Sequence, residues 1–297
     1  MKFEIPILFL IFNRPETTQP IFDVIKKIEP QHLFIAGDGP RNEEEGKKVY
    51  TARNIIKLIN WQCNVKTLFR NTNLGCKIAV SSAIDWFFEN NELGIILEDD
   101  CLPHIDFFTY SRELLFKYKD EPKIMHISGY NGLDKVLIKE SYYFSKFGTI
   151  WGWATWRRAW KNYDVEMKSW KGTKESKSYK NFCDSKIEEL WRIDLFDRVA
   201  KGLIDTWDYQ WSYAKLLNNG LSIIPANNLI TNIGFNQSAT HTGYKNPTSN
   251  VKVEKGVSFP LVHPEKIERN KQLDKKFFYG FVVKNKIKNR INNIFGK

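Results

Sequence analysis

The chain has 297 residues, 42% hydrophobic and 14% aromatic, which is enough for one large or two small domains and too apolar for a disordered chain. A net charge of +11, from 45 basic and 34 acidic side chains, suits an anionic partner such as a phosphorylated substrate or an anionic membrane surface; with no zinc-finger or RNP-type signature, nucleic acid is not expected. No apolar run reaches the length of a membrane span, the N-terminus lacks a secretory signal pattern, and the scattered Cys63, Cys76, Cys101 and Cys183 are expected as reduced thiols of a cytosolic protein.

Ile5 to Phe12 reads as a first strand running into Asn13-Arg14-Pro15. Pro15 opens a helix with Ile21, Val24, Ile25 and Ile28 on one face. Arg14, at a strand-to-helix junction, either meets a phosphate or is a surface Arg. His32 to Gly37 is a second strand, ended by the turn signal Asp38-Gly39-Pro40-Arg41. Asp38 there either accepts hydrogen bonds from a base or ribose or stabilises the turn. Glu43 to Asn60 reads as a helix and Val65 to Phe69 as a third strand. A polar loop from Arg70 to Lys77 then precedes a helix over Ile78 to Glu89, which leaves Lys77 either near a diphosphate or in solvent.

Leu93-Gly94-Ile95-Ile96-Leu97 is a short apolar run that ends in Glu98-Asp99-Asp100. Such a run reads as a buried strand of a parallel sheet. Three carboxylates at its end repel one another and need a compensating charge. A hard divalent cation, Mn²⁺ or Mg²⁺, supplies one through the oxygen ligands it prefers, the other reading being a solvated acidic turn after the strand. Open α/β sheets bind ligands outside the carboxyl ends of their strands, where these acids lie. Phe107 to Tyr118 is then a helix and Lys123 to Ser128 a strand, so the first 130 residues alternate as in an α/β protein.

Beyond this the pattern changes. Trp153, Trp156 and Trp160 have the i, i+3, i+7 spacing of a helix core face, while Gly152-Trp153 is also a candidate wall of a sugar pocket. Lys168 to Lys180 reads as an exposed loop. Helices are expected over Ile187 to Val199 and Trp207 to Leu217, with Asp208 in the favourable first turn of the second. Ser222 to Pro225 and Leu229 to Ile233 read as short strands. The loop around His241 is a candidate lid or phosphate contact. From Lys275 to Lys297, Val283, Ile287, Ile291 and Ile294 or Phe295 share one helical face among Lys and Arg. That face suits a membrane interface or the protein's own core, with the membrane favoured.

In order, Ile5-Pro6-Ile7-Leu8, Asn13-Arg14, Asp38, Lys77-Ile78-Ala79, Ile96-Leu97-Glu98-Asp99-Asp100, Pro103, Asp106-Phe107-Phe108, Gly152-Trp153 and Trp207-Asp208 form a set over roughly residues 4 to 245. The set resembles the GT-A glycosyltransferases, and among them the N-acetylglucosaminyltransferase I family and its bacterial hemolysin-like or family-2-like relatives. The resemblance implies an α/β GT-A fold, Rossmann-like, with a mixed, mainly parallel central sheet flanked by helices. It implies a nucleotide-sugar-binding half over 1–130, an acceptor-binding and catalytic half over 131–245, and a C-terminal extension over 246–297.

The resemblance also implies roles. Asp100 contacts Mn²⁺ held by the donor diphosphate; Glu98 and Asp99 bond the ribose and donor sugar. Arg14 pairs with the nucleotide portion and Asp38 reads uracil, and Asp208 is the base of an inverting reaction. Beside these, the residues themselves make Lys77 a candidate for the diphosphate and Gly152, Trp153, Trp207 and His241 candidates for the acceptor or sugar pocket. Ser81 stands near where the family has a His, so that nucleotide contact is missing, and the disulfides and membrane anchor of the eukaryotic enzymes are missing too. The expected activity is inverting, metal-dependent sugar transfer from a nucleotide-sugar, a UDP-sugar first, to a glycan or lipid-linked acceptor in surface polysaccharide synthesis. The expected location is cytoplasmic, peripheral at the inner face of the membrane. The alternatives are a nucleotidyltransferase acting on sugar phosphates, which should carry a Gly-rich basic loop where Asn13-Arg14-Pro15 stands, and a non-catalytic sugar-binding protein.

Overall fold

A computed structural model describes residues 2–133, 136–234, 253 and 255–283. In chain order the elements are β1 (Ile7–Ile11), α1 (Pro15–Ile28), β2 (His32–Gly37), α2 (Glu43–Arg53), β3 (Asn64–Phe69), α3 (Gly75–Asn90), β4 (Leu93–Glu98), β5 (Cys101–Pro103), α4 (Asp106–Lys117), β6 (Ile124–Ser128), β7 (Tyr142–Ser145), β8 (Trp153–Trp156), α5 (Arg157–Trp160), α6 (Trp170–Glu175), α7 (Lys186–Ala200), α8 (Asp208–Leu217), β9 (Leu221–Pro225), β10 (Ile230–Asn232) and α9 (Lys271–Phe277). Short 3₁₀ turns follow α2 and α6, and a π-helical stretch, Phe278–Val283, continues α9.

Eight strands form one sheet in the order β3-β2-β1-β4-β8-β6-β9-β7. The β3-β2-β1-β4 side is parallel throughout, as short strand–helix–strand crossovers require. β8 enters antiparallel between β4 and β6, and β7 is antiparallel to β9 at the edge. This is a mixed, mainly parallel, Rossmann-like α/β sheet. Both faces are covered: Ile7, Phe9, Ile95 and Leu97 pack into one apolar layer and Leu8, Leu10 and Ile96 into the other. That two-sided burial is why these strands read as continuous apolar runs rather than alternating ones.

The register sets the functional edge. Ile11 is level with Gly37, and Leu10 with Glu98. The segments after β1, β2 and β4 therefore emerge side by side at the carboxyl edge, carrying Arg14, Asp38 and the acids. β5 pairs antiparallel with β10, Cys101 opposite Asn232, and so draws the chain after β10 back to this edge.

Two expectations are corrected, and a third, on the C-terminal face, falls mostly outside the described residues. The Trp-rich stretch is strand before it is helix. In strand geometry residues three apart point to opposite faces, and Trp153 and Trp156 accordingly enter different apolar layers. Residues 168–180 are not an exposed loop: α6 and the following turn bury Trp170 and Tyr179 against Phe196 and Val199 of α7. The described start of the C-terminal stretch docks on the protein. Phe278 is buried between Phe147 and Trp191, and Phe277 packs on Phe147. Ile287, Ile291, Ile294 and Phe295 lie outside the described residues. Among those described, no helix is long and apolar enough to cross a membrane.

Candidate active site

Arg14 is the N-cap of α1, its backbone carbonyl accepting from the amides and hydroxyls of Thr17 and Thr18. Pro15 fixes the helix start. Its guanidinium turns back across the sheet edge: Nη2 is 2.7 Å from Asp99 Oδ1 and Nη1 is 3.0 Å from Asp100 Oδ2. The other Asp99 oxygen accepts the Phe12 amide at 3.0 Å, which ties the end of β1 to the end of β4. The counter-charge assigned from sequence to a cation is thus supplied in part by the chain itself.

Burial, with Asp100 adding, pushes Asp99 up to about 6 against the pull of Arg14 and the Phe12 amide. Burial, then Asp100 and Asp99, also drives the Glu98 carboxyl well above the usual range; Arg14 opposes this and Asp208 adds to it. Burial alone would disfavour the charged Arg14, but Asp99 and Asp100 outweigh it and its pKa rises. Glu98 Oε1 is buried with no hydrogen-bond partner among the described residues. A buried, unbonded carboxylate oxygen is costly, so this atom is a feature that a ligand would satisfy.

Asp38 carries a different load from the one implied by the resemblance. Its carboxylate accepts the Gly39 amide at 2.9 Å, Leu74 at 3.0 Å and Gly75 at 3.1 Å. It fastens the β2 turn to the start of α3, the second of its two readings. Lys77 pairs with Glu166 at 2.9 Å, the partner it has among the described residues.

Asp208 opens α8, and its charge adds to the rise of Glu98. Burial, then Glu98, Asp208, Asp205 and Asp38, push the Cys76 thiol up to about 12.

The expected pocket residues are corrected. Trp153 and Trp207 are 0% and 2% exposed and stack on each other at 5.7 Å, with His126 on Trp153 at 5.1 Å. Indole faces covered by the protein's own rings are not open to a sugar. Gly152 has φ +57, and a Cβ there would come within 2.4 Å of Ile230, so glycine is required by a close approach of backbone to β10. His241 lies outside the described residues.

Sequence reasoning missed three contributors. Gly234 packs against the acids so closely that a Cβ would fall 2.4 Å from Asp100 Oδ2 and 3.0 Å from Arg14 Nη1. Arg53 donates to the carbonyls of Asp38 at 2.9 Å and Arg70 at 2.7 Å, holding the ends of β2 and β3. Asp205 accepts the Lys77 amide of α3 at 3.3 Å. Asp205 had a local signal, two acids flanking Thr206-Trp207, whereas Gly234 and Arg53 act only through folding.

Among the described residues, no three His, Cys, Asp or Glu side chains converge to hold a metal by themselves. The arrangement fits a cation shared with a ligand, since Mg²⁺-type sites commonly use one or two carboxylates plus substrate phosphates. A half-buried Asp100 beside the unbonded Glu98 oxygen is the position that fits.

These features define a Rossmann-like α/β protein with an acid-rich carboxyl edge. No family model and no curated protein matches the chain. Solved structures overlap part of it. One is a UDP-glucose pyrophosphorylase complexed with UDP-glucose, at 13% identity, covering 54% of this chain and 78% of that one, with a TM-score of 0.33. Another is HddC from Yersinia pseudotuberculosis, at 11%, 54%, 80% and 0.34. A third is 4-diphosphocytidyl-2C-methyl-D-erythritolsynthase from Anaerococcus prevotii, at 9%, 52%, 72% and 0.33. None of the three is an N-acetylglucosaminyltransferase, so the family resemblance gains no support from them.

Proposed function

We propose that this protein is a transferase acting on a nucleotide-sugar, and that it moves the sugar to a hydroxyl acceptor. The observation that carries this is the convergence of Arg14, Glu98, Asp99 and Asp100 with Asp208 at one sheet edge. In this reading Arg14 orders the β4 acids, and Asp100 holds Mn²⁺ or Mg²⁺ together with the donor diphosphate. A cation so bound offsets charge on the departing diphosphate as a Lewis acid. Asp208 accepts the proton of the attacking hydroxyl; one base suffices if configuration inverts. The Glu98 oxygen left unbonded is satisfied by a donor hydroxyl. A glycan or lipid-linked acceptor and a peripheral place at an anionic membrane belong to the same proposal, motivated by the net charge and the basic C-terminal segment.

Nucleotidyl transfer to a sugar phosphate is the second reading. The names of the similar solved structures fall on its side, at TM-scores too low to weigh. Against it stands Asn13-Arg14-Pro15 after β1: it is not a Gly-rich basic loop, and its one Arg is already paired with two carboxylates. The sugar-binding alternative loses the feature that favoured it, because Trp153 and Trp207 are core side chains.

The deciding experiment offers UDP-, GDP-, dTDP- and CMP-sugars with Mn²⁺ or with chelator, and separately nucleoside triphosphates with sugar 1-phosphates. Metal-dependent release of free nucleotide from one nucleotide-sugar is expected. Pyrophosphate release from a triphosphate, with no nucleotide release from any donor, would establish the second reading instead.

A further inference from the structure

The turn from Asp205 to Asp208 is held residue by residue. Asp205 Oδ1 accepts the Lys77 amide of α3, and its Oδ2 lies against Gly75, where a Cβ would stand 3.2 Å away. The Thr206 carbonyl accepts the buried Gln210 amide at 2.6 Å. The Trp207 carbonyl accepts the Tyr163 hydroxyl at 3.1 Å, and its indole is locked in the aromatic layer. The Thr206 hydroxyl donates to Asp208 Oδ1.

We propose that Thr206 is a positioning residue for Asp208, its hydroxyl fixing the carboxylate that receives the acceptor's proton while Asp205 anchors the same turn to α3. The proposal rests on the reading of Asp208 as the base. Rigid placement is what such a role requires, since a small misplacement of a reacting group costs large factors in rate. A hydrogen bond given to a carboxylate also favours its ionised form. Thr206 therefore offsets Glu98 of β4, the carboxyl whose charge opposes that of Asp208; Cys76, Tyr163 and Tyr209, which also face Asp208, are neutral where a carboxyl titrates and add no charge against it.

The test uses the full chain with ¹³Cγ-labelled aspartate, the Asp208 resonance being assigned by its loss in Asp208→Asn. Thr206→Val and Thr206→Ala should raise the Asp208 titration midpoint by about half a unit to one unit, whereas Thr206→Ser should keep it. In turnover of a UDP-glucose probe, or of whichever donor the panel identifies, Thr206→Val should lower kcat about tenfold or more with KM for the donor little changed. Thr206→Ser should restore most of the rate. A midpoint that stays put in both Val and Ala variants, folding being checked by near-ultraviolet circular dichroism, overturns the proposal, as does a Ser variant indistinguishable from Val. An Asp208→Asn variant that turns over at the wild-type rate removes the base reading instead, and does so without altering the titration result.

Discussion

Nη2 of Arg14 lies 2.7 Å from Oδ1 of Asp99, and Nη1 of the same guanidinium reaches Asp100. This pair decides how an edge with three adjacent acids is tolerated. The fixed positive charge neutralises part of the cluster and orients it, and what remains is a net acidic site whose least satisfied atom belongs to Glu98.

Arg14→Met should leave Asp99 and Asp100 without their partner. Removing one member of a largely buried pair costs more than the pair itself contributes, so a loss of about 2–4 kcal/mol is expected in urea unfolding at neutral pH. The loss should shrink near pH 5, where the acids take up protons more readily. Equal stability of variant and wild type at both pH values would show that the pair does not carry the edge.

Asp208→Asn preserves shape and removes the proton acceptor. Donor affinity by calorimetry should stay within a few-fold, while kcat falls by about 10²–10⁴. A wild-type rate in this variant would rule Asp208 out as the base.

Asp100→Ala should abolish the part of donor affinity that depends on Mn²⁺ and leave the metal-independent part. Titration of UDP with and without the cation separates the two. Identical cation dependence in variant and wild type would move the metal site elsewhere.

Lys215 is fully buried, donates to Ser222 at 2.8 Å, and is pulled down to about 7, chiefly by burial and then by Arg192. Its folded pKa is depressed, so between about 7 and 10.5 the unfolded chain binds the extra proton. Stability from this group is present above the upper value and is lost as pH falls toward 7. Lys215→Met should flatten that slope and stabilise the protein at pH 7 by the order of 2 kcal/mol, the loss of the Ser222 bond included. Parallel stability–pH curves for the two proteins would contradict the assignment.

The C-terminal stretch divides at the end of its docked part. Phe278→Ala should cost about 3 kcal/mol as a core truncation. Deleting residues 284–297 should leave the unfolding midpoint unchanged and weaken sedimentation with anionic vesicles. Deletion from Lys275, by contrast, would remove Phe277 and Phe278 from the core and say nothing about membranes. If the shorter deletion destabilised the protein as much as Phe278→Ala, the segment would belong to the core.

Much of the strand–helix order was legible because its signals are local. Apolar runs buried on both faces, Pro15 at a helix start, and turn residues at strand ends each act within a few positions of themselves. The parallel order of β1, β2 and β4 then places Arg14, Asp38 and the Glu98–Asp100 acids on one edge almost without further information. Less was legible where partners are distant. Nothing in the sequence near Trp153 shows that β8 runs antiparallel between β4 and β6, which turns Trp153 into one layer and Trp156 into the other.

By itself, then, the sequence determined that acids end a buried strand and that a base candidate opens a later helix, because hydrophobic periodicity and helix-start chemistry are written in neighbouring residues. Only the tertiary structure decided what meets those acids, Arg14 across 85 positions of chain and Gly234 pressed against Asp100, and that Asp205 ties the base candidate's turn to α3. Charge and packing partners are chosen by how the strands stack in space, and a one-dimensional pattern does not contain that choice.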